Sequence, residues 1–115
     1  MLPKSQRLNL SEPTDRFIFR HRAIETKHFA AYSRKSLSNL FKFGTSIPKK
    51  NVLKASRRNK IKRIIYSVLE SHQILSKKIE LLIVTTKDFK TTGENKQFFK
   101  EELTGVLNSL FKQNF

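Results

Sequence analysis

Pro48-Lys49-Lys50-Asn51-Val52-Leu53-Lys54-Ala55-Ser56-Arg57-Arg58-Asn59-Lys60-Ile61-Lys62-Arg63 places eight Lys or Arg in sixteen residues, within a stretch that has no acidic residue between Glu25 and Glu70. Cations at this density, with no carboxylate near enough to neutralise them, do electrostatic chemistry: they capture a polyanion. The phosphate backbone of a nucleic acid fits best and an anionic membrane trails it. A merely solvated helix face usually mixes signs, with Glu and Lys four apart. This one is unmixed, and Lys49, Lys50 and Lys54 extend it into the preceding loop.

Other chemistries find little material. His21, His28 and His72 are scattered without a metal-ligand spacing, and such histidines are read as surface or lightly packed residues. Glu12, Asp15 and Glu25 do not form a carboxylate cluster for a metal, and the pair Glu101-Glu102 is read as solubilising the last helix. Gly44, Gly93 and Gly105 lie too far apart for a phosphate-cradling loop. The absence of Cys removes disulfides, thiolate metal sites and a thiol nucleophile, and suits the cytoplasm. No catalytic residue, protein-bound metal or small-molecule cofactor is expected, so catalytic power must come from a partner.

The elements that position the basic run follow from periodicity. From 56 to about 71, Ile61, Ile64, Ile65, Val68 and Leu69 recur at spacings of three and four, which predicts an amphipathic helix with Asn59, Lys60, Lys62 and Arg63 on its other side. Phe99, Leu103, Val106, Leu107, Leu110 and Phe111 predict a second such helix after the break at Thr91-Thr92-Gly93. Ser11, Glu12 and Pro13 signal a helix start running on through 15–22. Segments 28–32 and 40–47 read as two strands of an antiparallel pair, separated by polar residues 33–39, and Pro48 ends the second. Segment 79–86 reads as a buried strand, and 23–27 as an additional edge strand.

That order, α-β-β-(β)-α-β-α, predicts a two-layer α/β (α+β) sandwich: one sheet of about four strands with helices packed on it. With 115 residues, 37% apolar content and ten Phe, one modest core and one domain over 11–115 are expected, preceded by a flexible arm over 1–10. A net charge of +15 and a pI near 10.5 favour fast, salt-sensitive capture of an anionic partner. The N-terminus starts no apolar signal region, and the run Leu81-Leu82-Ile83-Val84 is too short to span a bilayer. No membrane association is expected.

Ser46-Ile47-Pro48-Lys49-Lys50, a short loop, Ala55, then Arg58-Asn59-Lys60-Ile61-Lys62-Arg63 resembles the motif of the bacterial ribonuclease P protein component. Leu2-Pro3-Lys4 and Arg7-Leu8 near the start, and the closing amphipathic helix, extend the likeness over the chain. Lys60 stands where the family has its second Arg, which keeps the charge and loses the planar fork. The resemblance implies a left-handed βαβ crossover. It also implies a subunit that binds ribonuclease P RNA and the 5′ leader of precursor tRNA, and that supports Mg2+-dependent cleavage with the ion held mainly by the RNA. Carried over by motif, Arg58, Asn59, Lys60, Lys62 and Arg63 face the RNA, with Lys49, Lys50, Lys54 and Arg57 extending that surface. Phe17, Phe19, Phe29, Tyr32 and Phe43 are candidates for a leader cleft, although Phe at strand spacing usually packs inward. The alternative is a structural RNA-binding protein such as a small ribosomal protein. DNA binding is weakened by the lack of a helix immediately before the basic one.

Overall fold

The structure is a computed structural model that describes residues 6–8, 17–20, 23–36, 39–87 and 95–112. Its strands are β1 (Ala23–Glu25), β2 (Phe29–Lys35), β3 (Lys42–Ser46) and β4 (Ile79–Thr85), and its helices are α1 (Ala55–Glu70) and α2 (Lys96–Phe111). The strands form one sheet in the order β1-β2-β4-β3. β4 is apolar at every position but Glu80 and Thr85 and is buried along almost its whole length, so it takes the centre. β2 lies antiparallel to β4, from Phe29 opposite Thr85 to Lys35 opposite Ile79. β3 lies parallel to β4 on the other side, with Phe43 opposite Leu81.

The expected antiparallel pairing of the second and third strands is therefore corrected. β4 separates them, because β3, α1 and β4 form a parallel crossover that returns the chain beside β3. The polar segment after Tyr32 is also not a loop throughout, since β2 continues over Ser33, Arg34 and Lys35. Arg34 tolerates burial there because Glu80, its direct cross-strand neighbour, accepts hydrogen bonds from Nε at 2.8 Å and Nη2 at 2.6 Å. The segment 23–27 does hold the edge strand, β1, paired antiparallel with β2. Of the expected first helix, residues 17–20 form a 3-10 turn, while 11–16 and 21–22 lie outside the described residues, as does the break at 91–93.

Both long helices pack on one face of the sheet. Ile61, Ile64, Ile65, Val68 and Leu69 of α1 and Phe99, Leu103, Val106, Leu107 and Leu110 of α2 share a core with Phe29, Ala31, Phe43, Leu81 and Ile83. The opposite face is partly covered by the N-terminal segment. Within the expected arm, Arg7 pairs in parallel with Phe43, and the Leu8 amide donates to the Phe43 carbonyl at 2.9 Å. Leu8 then lies beside Gly44, where an added Cβ would meet the Leu8 Cβ at 3.0 Å and the Leu82 Cδ1 at 3.3 Å, so any larger residue here must push these neighbours back by a few tenths of an ångström. The remaining arm residues, 1–5 and 9–10, lie outside the described ones.

Candidate nucleic-acid interface

The loop between β3 and α1 is fixed at both of its ends. The amides of Asn51 and Val52 both donate to the Pro48 carbonyl at 3.0 Å, and the Asn51 side-chain amide donates to the Thr85 carbonyl at 3.0 Å. Val52 is fully buried, so it anchors the loop to the core and leaves Lys49, Lys50 and Lys54 in solvent. Arg58 reaches back from α1, its Nη1 donating to the Val52 and Leu53 carbonyls, each at 2.9 Å. Arg58 is half-buried and shapes the loop through that one nitrogen.

The start of α1 is electrostatically unusual. Lys54 is its N-cap and makes no side-chain capping bond, and no acidic residue lies in the first turn. The partial positive charge of the helix N-terminus thus has Lys54 and Arg58 beside it and no carboxylate within the first turn. That is a poor arrangement for an isolated helix and a good one for receiving phosphate. Further along, Ile61, Ile64 and Ile65 point into the core while Asn59, Lys60, Lys62 and Arg63 are exposed, as the periodicity requires. Lys49, Lys50, Lys54, Asn59, Lys60, Lys62 and Arg63 therefore all reach solvent from the loop and α1, and Arg57 and Arg58 are half-buried at their junction.

One turn later stands Tyr66, half-buried, with its ring edge-on to Phe43 at 5.3 Å and Lys62 Nζ 6.0 Å from its centroid. Burial raises its phenol pKa, an effect that Glu70 adds to and the Arg7 charge opposes. Arg7 thus contributes positive potential beside α1 from the strand-like segment along β3.

The aromatic candidates divide by burial. Phe29 and Phe43 are each 1% exposed and belong to the core, so they are removed from the leader-cleft set. Their places in β2 and β3 turn them toward the helices, as strand alternation requires. Phe19, 45% exposed, meets half-buried Tyr32 edge-to-face at 5.1 Å on the opposite sheet face. This pair is accessible to a ligand. The Phe17 side chain lies outside the described part of the chain.

Two polar assemblies escaped the sequence reading. His28 is not lightly packed: it is buried, edge-on to Phe99 at 5.0 Å, and its Nδ1 lies 2.9 Å from Glu102 Oε1. Glu102 Oε2 accepts from the Thr26 hydroxyl at 2.6 Å and from the His28 amide at 3.0 Å. Glu102 therefore joins α2 to the β1–β2 hairpin rather than merely solubilising the helix. Burial pushes its carboxyl upward, but the Thr26 and His28 hydrogen bonds and the His28 charge together outweigh that and hold it below the ordinary carboxylate range. His72 caps the 3-10 turn Gln73–Ser76, its Nδ1 accepting from the Ile74 amide at 2.9 Å while Nε2 donates to Asn108 Oδ1 at 2.6 Å. No sequence spacing marks the Glu102 contacts or the His72–Asn108 bond, because each joins elements distant in the chain. Among the described residues no group of three or more His, Asp or Glu could hold a metal ion, and no helix is long and apolar enough to cross a membrane.

The Ribonuclease P family profile matches residues 2–110. The chain belongs to the ribonuclease P protein family. This places it in tRNA processing as part of a ribonucleoprotein. No curated protein matches the sequence. Among solved structures, the RNase P protein of Staphylococcus aureus is similar at a TM-score of 0.65 and 20% identity, covering 95% of this chain and 94% of that one. The RNase P protein of Thermotoga maritima gives a TM-score of 0.65 at 18% identity, covering 95% and 97%. At such identities these likenesses speak for the fold, two helices on an open four-stranded mixed sheet. Lys49 to Arg63, the segment whose order resembles the family motif, lie at the β3–α1 corner of this fold.

Proposed function

We propose that the chain binds ribonuclease P RNA through the β3–α1 corner and holds the 5′ leader of precursor tRNA on the other face of the sheet, supporting removal of the leader in the cytoplasm. The observation that carries this reading is the uncapped, acid-free start of α1, set among exposed Lys49, Lys50, Lys54, Lys60, Lys62 and Arg63 in a chain of the ribonuclease P family. Phosphates of the RNA take the place that a capping carboxylate would otherwise occupy. Positive charge also reduces repulsion between two RNAs, which helps a catalytic RNA hold its substrate.

Phe19 and Tyr32 offer a stacking edge for unpaired leader bases, since every base has a π-face and single strands are held by aromatic platforms beside cations. Catalysis is assigned to the RNA. Glu80 is engaged by Arg34 and Glu102 by Thr26 and His28, and among the described residues no three His, Asp or Glu come together to hold a metal ion. Magnesium in this reading is held mainly by the RNA.

Reconstitution tests the proposal. The purified chain alone should leave precursor tRNA intact. Added to a ribonuclease P RNA, it should lower the magnesium concentration needed for cleavage and tighten binding of leader-bearing precursor more than of mature tRNA. Cleavage by the RNA-free chain, or equal help to both tRNA forms, would overturn it.

A further inference from the structure

Four large apolar side chains stand out of the described surface: Phe19, Leu40, Leu53 and Phe98, at 45%, 44%, 81% and 58% exposure. Phe19 has Tyr32 beside it, and Phe98 packs edge-on against Phe99 at 5.5 Å. Leu53 differs in both degree and setting. It is the most exposed of the four and sits inside the basic loop, between exposed Lys49 and Lys50 on one side and exposed Lys54 on the other.

A single exposed leucine ordinarily carries no message. Here the backbone beneath it is locked. The preceding residue, Val52, is fully buried, Arg58 Nη1 donates to the carbonyls of both Val52 and Leu53, and the Lys54 carbonyl accepts from the Arg57 amide at 3.1 Å and the Arg58 amide at 3.0 Å. Leu53 is thus presented in a fixed position, and a partner that covers it orders little additional chain. Its cationic neighbours would hold phosphates on either side, and phosphate contacts set the position of whatever base lies between them.

We propose that Leu53 is a rigid apolar contact for an unstacked nucleobase of the RNA that this corner binds, covering a base face that bulged or looped RNA leaves open. The inference rests on the RNA-subunit reading above and adds to it a contact that is not electrostatic. Apolar contact releases no counterions, so it separates from the lysines by its salt signature.

Leu53→Ala, Leu53→Lys and Leu53→Trp test this in the full chain, titrated with a bacterial ribonuclease P RNA transcript over a range of salt. The side chain is exposed, so an unchanged thermal midpoint confirms that each variant folds. Leu53→Ala should raise Kd about tenfold, the equivalent of about 1.4 kcal/mol, with the slope of log K against log salt unchanged. Leu53→Lys should bind more weakly than wild type despite its extra charge. The chain has no Trp, so Leu53→Trp supplies one fluorophore, which should keep the affinity and be quenched by base contact on RNA addition. Wild-type binding with an unaffected Leu53→Ala, a tighter Leu53→Lys, or an unquenched Leu53→Trp would overturn the inference alone. Failure of the wild-type chain to bind the RNA would overturn the subunit reading and the inference with it.

Discussion

Salt titration of single-charge variants gives the sharpest measure of the basic corner. Six cations there are exposed, Lys49, Lys50, Lys54, Lys60, Lys62 and Arg63, whereas Arg57 and Arg58 are half-buried. If each exposed cation neutralises one phosphate, the slope of log K against log salt is about −4 to −5, from roughly −0.7 to −0.9 per contact. Doubling the salt should then weaken binding about 20- to 40-fold. Lys54→Ala or Lys62→Ala should each flatten the slope by about one contact's share, while Lys112→Ala, exposed just beyond the end of α2, should not. Asn59→Ala removes an uncharged side chain at the start of α1, so it should lower affinity at every salt concentration without altering the slope. Arg58→Ala should do more than either, because it also releases the Val52 and Leu53 carbonyls from their clamp. Filter binding at four or five salt concentrations reads all of these. Equal losses for Lys54→Ala, Lys62→Ala and Lys112→Ala would show that binding follows bulk charge, and the assignment of the corner would fail.

Three further outcomes follow from the packing. Arg34→Ala removes two short hydrogen bonds from buried Glu80 and should cost about 3 kcal/mol in urea denaturation, whereas the double change Arg34→Met with Glu80→Leu should recover most of it; a cost below about 1 kcal/mol for the single change would refute the pair's role. Glu102 has a lowered carboxyl pKa, so its contribution to stability is present above its usual 4.5 and is lost as pH falls through the lower folded value; Glu102→Gln should flatten this acid-side decline in denaturation curves, and an unchanged decline would exclude it as the source. Gly44→Ala brings a Cβ within 3.0 Å of Leu8 and should loosen the N-terminal segment, read as faster hydrogen exchange at the Leu8 amide; unchanged exchange would mean that Leu8 shifts without losing its bond to Phe43.

Much of this architecture is legible in the sequence, for identifiable reasons. α1 and α2 announce themselves because burial on one side imposes spacings of three and four, and the apolar residues of both stripes are in the core or packed against it. β4 is equally clear as a buried strand, yet its placement is not. A strand apolar on both faces belongs at the centre and needs neighbours on both sides, and those neighbours are β2 and β3 rather than each other. The end of β2 is hidden because Ser33, Arg34 and Lys35 are polar, and only Glu80 across the ladder makes burial of Arg34 tolerable. His28 and Glu102 are separated by 74 residues and meet only after the sheet and α2 are assembled. At the candidate interface the exposed cations follow directly from charge and helical phase. The loop's rigidity does not, because it depends on Arg58 folding back on carbonyls that precede its own helix.

The uncapped start of α1 has a consequence for the chain before it meets RNA. Lys54 and Arg58 stand at a positive helix end whose first turn holds no acidic residue, within a protein of net charge +15, so like charges are crowded at the corner proposed to bind RNA. Dissolved salt screens that repulsion and also screens attraction to RNA. The two responses have opposite signs: salt that relieves the crowding of charge in the lone protein weakens the proposed complex. On the proposed reading, RNA brings to this helix end the negative charge that its own first turn does not carry, so salt and RNA act on the same corner in opposite senses.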